Sequence, residues 1–176
     1  EVRLSGAGNN EVTVNRSQGG QVVTGSGNDA VTISAPNNWI TGSPSVFTVQ
    51  SGAGDDSVVG WRQGQIYHRM VVEGGAGQDT IVGGGGADTL AGGAGNDRLT
   101  GGGGKDLFIV RATEPGSDVI TDFAPGQDQL RFDGIDPAWV STTQKAAGAL
   151  VSWNGGSVLL EGVAAASLGK WFFDFA

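Results

Sequence analysis

Aspartate returns at a fixed spacing in one part of this chain. From Gly74 the sequence reads GGAGQDTIV GGGGADTLA GGAGNDRLT GGGGKDLFI, four blocks of nine, with aspartate sixth and an aliphatic or aromatic residue eighth in each. Weaker copies stand upstream as SGAGNNEVT from Ser5, TGSGNDAVT from Thr24 and SGAGDDSVV from Ser51. The chemistry open to such a set is cation binding. Carboxylates stacked one strand spacing apart, ~4.8 Å, repel strongly unless a cation lies between them. Glycine carbonyls beside them would complete a shell made of oxygen alone. Such a shell suits calcium better than zinc, and magnesium's strict octahedron with retained waters fits a backbone cage less well.

The elements that must position these carboxylates follow from the register. Skipping every second perfect block leaves Gly6, Gly25, Gly52, Gly75 and Gly93, at steps of 19, 27, 23 and 18 residues. The last step is two blocks, so one turn of a coil is two blocks, and earlier turns carry inserts. Six residues after each glycine come Val12, Val31, Val58, Ile81 and Leu99; three before all but the first come Val22, Val49, Val72 and Leu90. Two apolar, mostly β-branched columns suit two facing parallel sheets. The glycine-rich hexads form turns along one edge, where positive φ and close stacking leave no room for a Cβ. There Asp29, Asp56, Asp79 and Asp97 fall in line. The opposite edge holds the loops at Gly83 and Gly101, replaced upstream by NRSQGG near Asn15, PNNWITGSPS near Pro36 and GWRQGQIYHR from Gly60. Residues 1–109 thus read as one all-β parallel coil, degenerate over 1–73 and regular over 74–109.

After Leu107 glycine thins out and alternation appears in LFIVRA, DVITDF, DQLRF, ALVSW, SVLLEGV and WFFDF. Residues 110–176 are expected to form antiparallel strands capping the open end of the coil. PGQD at Pro125 and NGG at Asn154 signal turns, and a helical turn is expected over 136–145, where proline follows an N-cap-like Asp136. Trp139, Trp153 and Trp171 are expected in the core. Asp118, Asp122 and Asp128 are candidates for a further calcium at the junction.

Composition excludes several classes. Glycine supplies 33 of 176 residues, against a usual ~7%, yet 38% of residues are hydrophobic, enough for a core. A net charge of -8 and a pI near 4.4 argue against nucleic acid and anionic membranes and for cations. Without cysteine there is neither a disulfide nor a thiolate site. No signal peptide and no bilayer-length apolar run are legible. The start at Glu1 without methionine reads as a fragment or a processed product, monomeric as such. Neither HExxH nor GxSxG occurs, and the single histidine, His68, reads as an ordinary surface or core residue, so no catalytic residue is assigned. The insert bearing Trp61, Arg62, Tyr67 and Arg69 is aromatic and basic, a combination able to stack on sugars and meet uronic carboxylates. A loop folded over the edge, with Trp61 covering core, is the favoured reading of it.

The GGxGxDxUx block resembles the nonapeptide of the RTX (repeats-in-toxin) calcium-binding proteins, a repeat long associated with parallel β-helical folds. SDVITDFAPGQDQLRF from Ser117 and the closing VLLEGVAAASLGKWFFDFA are similar to segments following the β-roll in serralysin-type proteases and alginate epimerase modules. The resemblance is good over 74–176 and loose over 1–73. It implies a right-handed parallel β-roll that folds on calcium and leaves a Gram-negative cell unfolded, by type I secretion under an uncleaved C-terminal signal, to act outside the cell or on its surface. The alternative it implies is a polysaccharide- or surface-binding module of an epimerase or adhesin. By the same resemblance the ligands of several calcium ions are Asp79, Asp88, Asp97 and Asp106, with carbonyls of Gly74, Gly75, Gly77, Gly83, Gly84, Gly86, Gly92, Gly93, Gly95, Gly101, Gly102 and Gly104. Gly25, Gly27, Asp29, Gly52, Gly54 and Asp56 extend the set upstream, and Asp118 and Asp128 downstream. Ions are expected between the loops of Gly52 and Gly75, Gly75 and Gly93, and Gly84 and Gly102, with a weaker one between Gly25 and Gly52. Asn10 stands where the first loop should have aspartate.

Overall fold

The computed structural model describes residues 1–4, 6–15, 19–34, 45–60, 68–169 and 173–176, which form a right-handed parallel β-roll. Its strands are β1 Val2–Arg3, β2 Glu11–Asn15, β3 Gly20–Val23, β4 Ala30–Ser34, β5 Val46–Ala53, β6 Ser57–Val59, β7 Arg69–Ala76, β8 Thr80–Gly84 and β9 Thr89–Ala94. They continue as β10 Arg98–Gly102, β11 Leu107–Arg111, β12 Gly116–Ile120, β13 Gln129–Asp133, β14 Ser141–Gln144, β15 Gly148–Trp153, β16 Gly156–Glu161 and β17 Phe173–Phe175. Odd strands up to β13, followed by β17, build sheet one; sheet two runs β2-β4-β6-β8-β10-β12-β16-β15-β14.

The two apolar columns of the sequence set the register. In sheet one Val22, Val49, Val72, Leu90, Phe108 and Leu130 are paired in series. In sheet two the series is Val12, Val31, Val58, Ile81, Leu99, Ile120 and Leu160. All but Val12 are at most 2% exposed, and the two columns meet in one core. A one-residue slip would turn each column outward. Each such side chain contributes about 1.5–3 kcal/mol by leaving water.

Beyond Ile109 the structure departs from the expected antiparallel cap. Strands β12, β13, β16 and β17 all pair parallel to their neighbours in the roll, and only β14–β15 and β15–β16 are antiparallel. The inward residues Ile120 and Leu130 keep the period of the turns before them, so the coil winds on after glycine thins. It reverses where Asn154–Gly155 allows a two-residue turn, with Gly155 at φ +111°, and such a turn joins only antiparallel strands. The expected helix over 136–145 shrinks to a 3-10 turn, Pro137–Trp139, capped by the Asp136 carboxylate, which accepts from the Ala138 amide at 2.8 Å. Trp139 is 60% exposed rather than in the core, because it rides on this turn; Trp153 is buried against Phe132. Trp171 lies outside the described residues. Arg111 grips Glu73 with two nitrogens, at 2.8 and 2.9 Å, and also holds Glu114. Among the described residues no helix is long and apolar enough to cross a membrane.

Candidate metal centre

Loops leading from sheet one to sheet two form an outgoing edge, and the loops returning form a second. The outgoing hexads stack in register, Gly52 on Gly75 on Gly93. Gly75 shows why glycine is required: its φ is +118°, and a Cβ there would overlap the Gly52 carbonyl one turn back. Stacking at strand distance leaves each aspartate directly over the next.

The aspartates form a ladder through the backbone. Each Oδ1 accepts the amide of the corresponding residue one turn earlier: Asn10 to Asp29 at 2.7 Å, Asp29 to Asp56 at 2.7 Å, Asp56 to Asp79 at 2.8 Å, Asp79 to Asp97 at 2.8 Å and Asp97 to Asp118 at 3.1 Å. The return edge repeats the device from Met70 to Asp88, Asp88 to Asp106 and Asp106 to Asp128, at 2.7, 2.9 and 3.0 Å. One oxygen of each carboxylate is thereby tied to protein. The other is not: Oδ2 of Asp29, Asp56, Asp79, Asp88 and Asp97 is buried without a hydrogen-bond partner. A buried unpaired carboxylate oxygen is costly. Burial accordingly pushes the carboxyl pKa values of Asp79, Asp88 and Asp118 up to about 7 and that of Asp106 up to about 6. It raises those of Asp56, Asp97 and Asp128 as well. Repulsion from the carboxylate one turn on adds to this, Asp97 acting on Asp79 and Asp106 on Asp88.

The space into which these oxygens point is shaped by the first glycine of the hexad. A Cβ on Gly74 would strike Oδ2 of Asp79 and the Gly92 carbonyl; one on Gly83 would strike Oδ2 of Asp88 and the Gly101 carbonyl. Gly92 and Gly101 stand in the same way against Asp97 and Asp106. Unpaired carboxylate oxygen and backbone carbonyl therefore line one cradle across two turns. Among the described residues no three His, Cys, Asp or Glu side chains converge, so carbonyls must supply much of any shell. An all-oxygen donor set of this kind fits calcium.

The junction residues divide between the edges, with Asp122 near Asp128 and Asp118 apart. Asp118 ends the outgoing ladder and Asp128 the return ladder, while Asp122 accepts the amides of Gly101 and Gly102 at 2.9 and 2.8 Å. Asp128 also takes the Ala124 amide on Oδ2. Asp118 thus stands on the opposite edge from Asp122 and Asp128, so the three are not placed around one ion. Trp61, Arg62 and Tyr67 lie outside the described residues; Arg69 is exposed and donates to the Thr89 hydroxyl at 3.0 Å. His68 packs edge-on to Phe47, at 5.6 Å between ring centres, and burial lowers its pKa. Sequence reading missed a second ladder outside the first, in which Asn9, Asn28, Asp55 and Asn96 accept the amides of Asn28, Asp55, Gln78 and Ser117. Its signal was available: the fifth slot is Asn or Asp in four of the five outgoing hexads from Asn9 to Asn96, but Ala87 or Lys105 on the return edge.

A two-sheet roll whose loops stack buried aspartates on glycine carbonyls is a calcium-binding β-roll. Residues 73–108 match the RTX calcium-binding nonapeptide repeat in four copies, and the chain carries RTX repeats. No curated protein sequence matches it. Among solved structures it is similar to the extracellular lipase LipA from Serratia marcescens, at a TM-score of 0.57 and 17% identity. That likeness, which is one of fold, covers 98% of this chain and 39% of the lipase.

Proposed function

We propose that this chain is the calcium-dependent folding and export module of a larger secreted protein and has no catalytic residues of its own. Asp79, Asp88, Asp97 and Asp106 would hold calcium in the cradles, where its positive charge would offset their repulsion and tie successive turns together. The protein residues do the rest. Glycines at the first slot keep the cradle open, Oδ1 of each aspartate fixes the side chain to the neighbouring turn, and Oδ2 is left for the ion. One observation carries this reading: the buried Oδ2 atoms without partners face carbonyls across adjacent turns. Where calcium is scarce, as inside a cell, the acidic turns oppose stacking and short strands bury too little to overcome chain entropy. The chain then crosses a type I secretion channel unfolded, led by its C-terminal signal, and folds in the calcium-rich medium outside. The extracellular Serratia lipase supports the export reading by fold alone.

The test is circular dichroism in EDTA followed by millimolar calcium or magnesium at pH 8. Calcium should convert coil to β-structure and magnesium should do much less. A chain fully β-structured after exhaustive chelation at that pH would overturn the reading.

A further inference from the structure

The first slot of the hexad is glycine at Gly74, Gly83, Gly92 and Gly101, but threonine at Thr24 and serine at Ser51. All lie in equivalent positions, since Gly52 pairs with Gly75, Gly75 with Gly93 and Ser26 with Ala53. At Gly74 and Gly83 a side chain would strike both the aspartate Oδ2 and the next carbonyl, and at Gly92 and Gly101 the aspartate. In the other two hexads a side chain is there. Thr24 is 4% exposed and its hydroxyl donates to the Ser51 carbonyl at 2.6 Å; Ser51 is fully buried and its hydroxyl donates to the Gly74 carbonyl at 3.0 Å. These carbonyls correspond to those of Gly92 and Gly101, which line the cradles.

We propose that the Thr24 and Ser51 hydroxyls are built-in substitutes for the ion, so that the hexads of residues 24–29 and 51–56 stack without metal and calcium sites begin at Gly74. The inference rests on the calcium reading of the glycine hexads. An ion needs carbonyl lone pairs aimed at it and an open volume of its own. A hydroxyl whose proton points at the carbonyl takes both. The Ser51 hydroxyl also stands by the Asp56 carboxyl, opposing the rise in pKa that burial causes there. Oδ2 of Asp29 and of Asp56 lacks a partner just as in the glycine hexads, so an orphaned oxygen is not enough for an ion: the carbonyl across the turn must be open too, and the first slot decides that. The aspartates at these positions thus keep their ladder role through Oδ1 while losing the ion, and the ions expected between Gly25 and Gly52 and between Gly52 and Gly75 give way to hydrogen bonds.

Anomalous diffraction from crystals of the intact chain in millimolar calcium decides this. Calcium peaks are expected between hexads 74–79 and 92–97 and between 83–88 and 101–106, with none between 24–29 and 51–56 or between 51–56 and 74–79. A peak at either of the last two places overturns this proposal and leaves the calcium reading standing. Absence of every peak overturns the calcium reading, and this proposal with it. In solution, equilibrium dialysis of Ser51→Gly should count one calcium more per chain than the parent, and Ser51→Ala no more than the parent. A folded Ser51→Gly chain with an unchanged count would also overturn the proposal.

Discussion

The outgoing and return edges of the roll solve the same problem with different means. On the outgoing edge the inner ladder runs unbroken from Asn10 to Asp118, and the outer ladder of Asn9, Asn28, Asp55 and Asn96 runs beside it. The two point in opposite directions: inner side chains accept from the turn before, outer ones from the turn after. Each loop is therefore tied to the next by the inner ladder, and by the outer one at every step but that from hexad 74–79 to hexad 92–97. Among the described residues the return ladder holds Asp88, Asp106 and Asp128, begins at Met70, which has no carboxylate, and carries Ala87 and Lys105 in the outer slot, while Asp122 takes the Gly101 and Gly102 amides. Its loops depend on the carboxylates, and so on whatever neutralises them. A repeat with one consensus can thus make two edges of unequal reliance on cations.

The largest effect should come from removing what both edges share. Truncation after Ile109 deletes Asp118 and Asp128, the last acceptors of the two ladders, and uncovers Leu99 and Phe108, whose partners Ile120 and Leu130 go with it. No calcium-induced β-signal should remain in that fragment by circular dichroism; a fragment folding at the parent's calcium concentration would show the C-terminal turns to be passengers.

Protons should partly replace calcium. The pKa values of Asp79, Asp88 and Asp118 are raised to about 7 and that of Asp106 to about 6 from an ordinary 3.8. For a carboxyl whose folded pKa is raised, the contribution to stability is complete below about pH 4 and is lost as pH rises through 6 to 7. In EDTA the roll should therefore hold more β-structure at pH 5 than at pH 8, and a melt in EDTA that is flat across that range would contradict the burial described here. Calcium binding near pH 6.5 should also release protons, measurable with an indicator dye.

Single carboxylates come next. Asp106→Asn keeps the acceptor for the Asp88 amide but removes charge on the return edge; Asp97→Asn does the same on the outgoing edge. Each should raise the calcium midpoint, by at least about tenfold for Asp106→Asn, the size seen on losing even an outer partner of a metal ligand. The shift should be smaller for Asp97→Asn, because Asn96 in the same loop also holds the Ser117 amide of the next turn. Equal shifts would dissolve the distinction between the edges. The smallest effect belongs to Asn28→Ala, which strands the Asp55 amide. It should cost about 1 kcal/mol in denaturant melts of the calcium-loaded protein, with the calcium count unchanged.

Much of this is legible in the amino-acid sequence. The columns Val12 to Leu99 and Val22 to Leu90 predicted both sheets and their register, because a period of two and a core on one face admit only one alignment. The aspartate line was legible for the same reason. The outer ladder was written in the fifth slot but reads as ordinary surface polarity until turns are stacked. The parallel continuation through β12, β13, β16 and β17 was hidden because alternation alone does not tell a strand whether its neighbour runs with it or against it.

The sequence by itself determined the repeat, the two apolar columns, the acidic line and hence the affinity for a hard cation, since these depend only on spacing and on side-chain chemistry. Tertiary structure alone decided which oxygen of each aspartate is spent on the backbone and which is left over. It decided that Thr24 and Ser51 put hydroxyls where Gly74 and Gly83 leave a cradle, and that Asp118 and Asp128 part to opposite edges. Those outcomes rest on distances of about 3 Å between residues 18 to 27 positions apart in the chain, a scale at which only the stacking of whole turns fixes who meets whom.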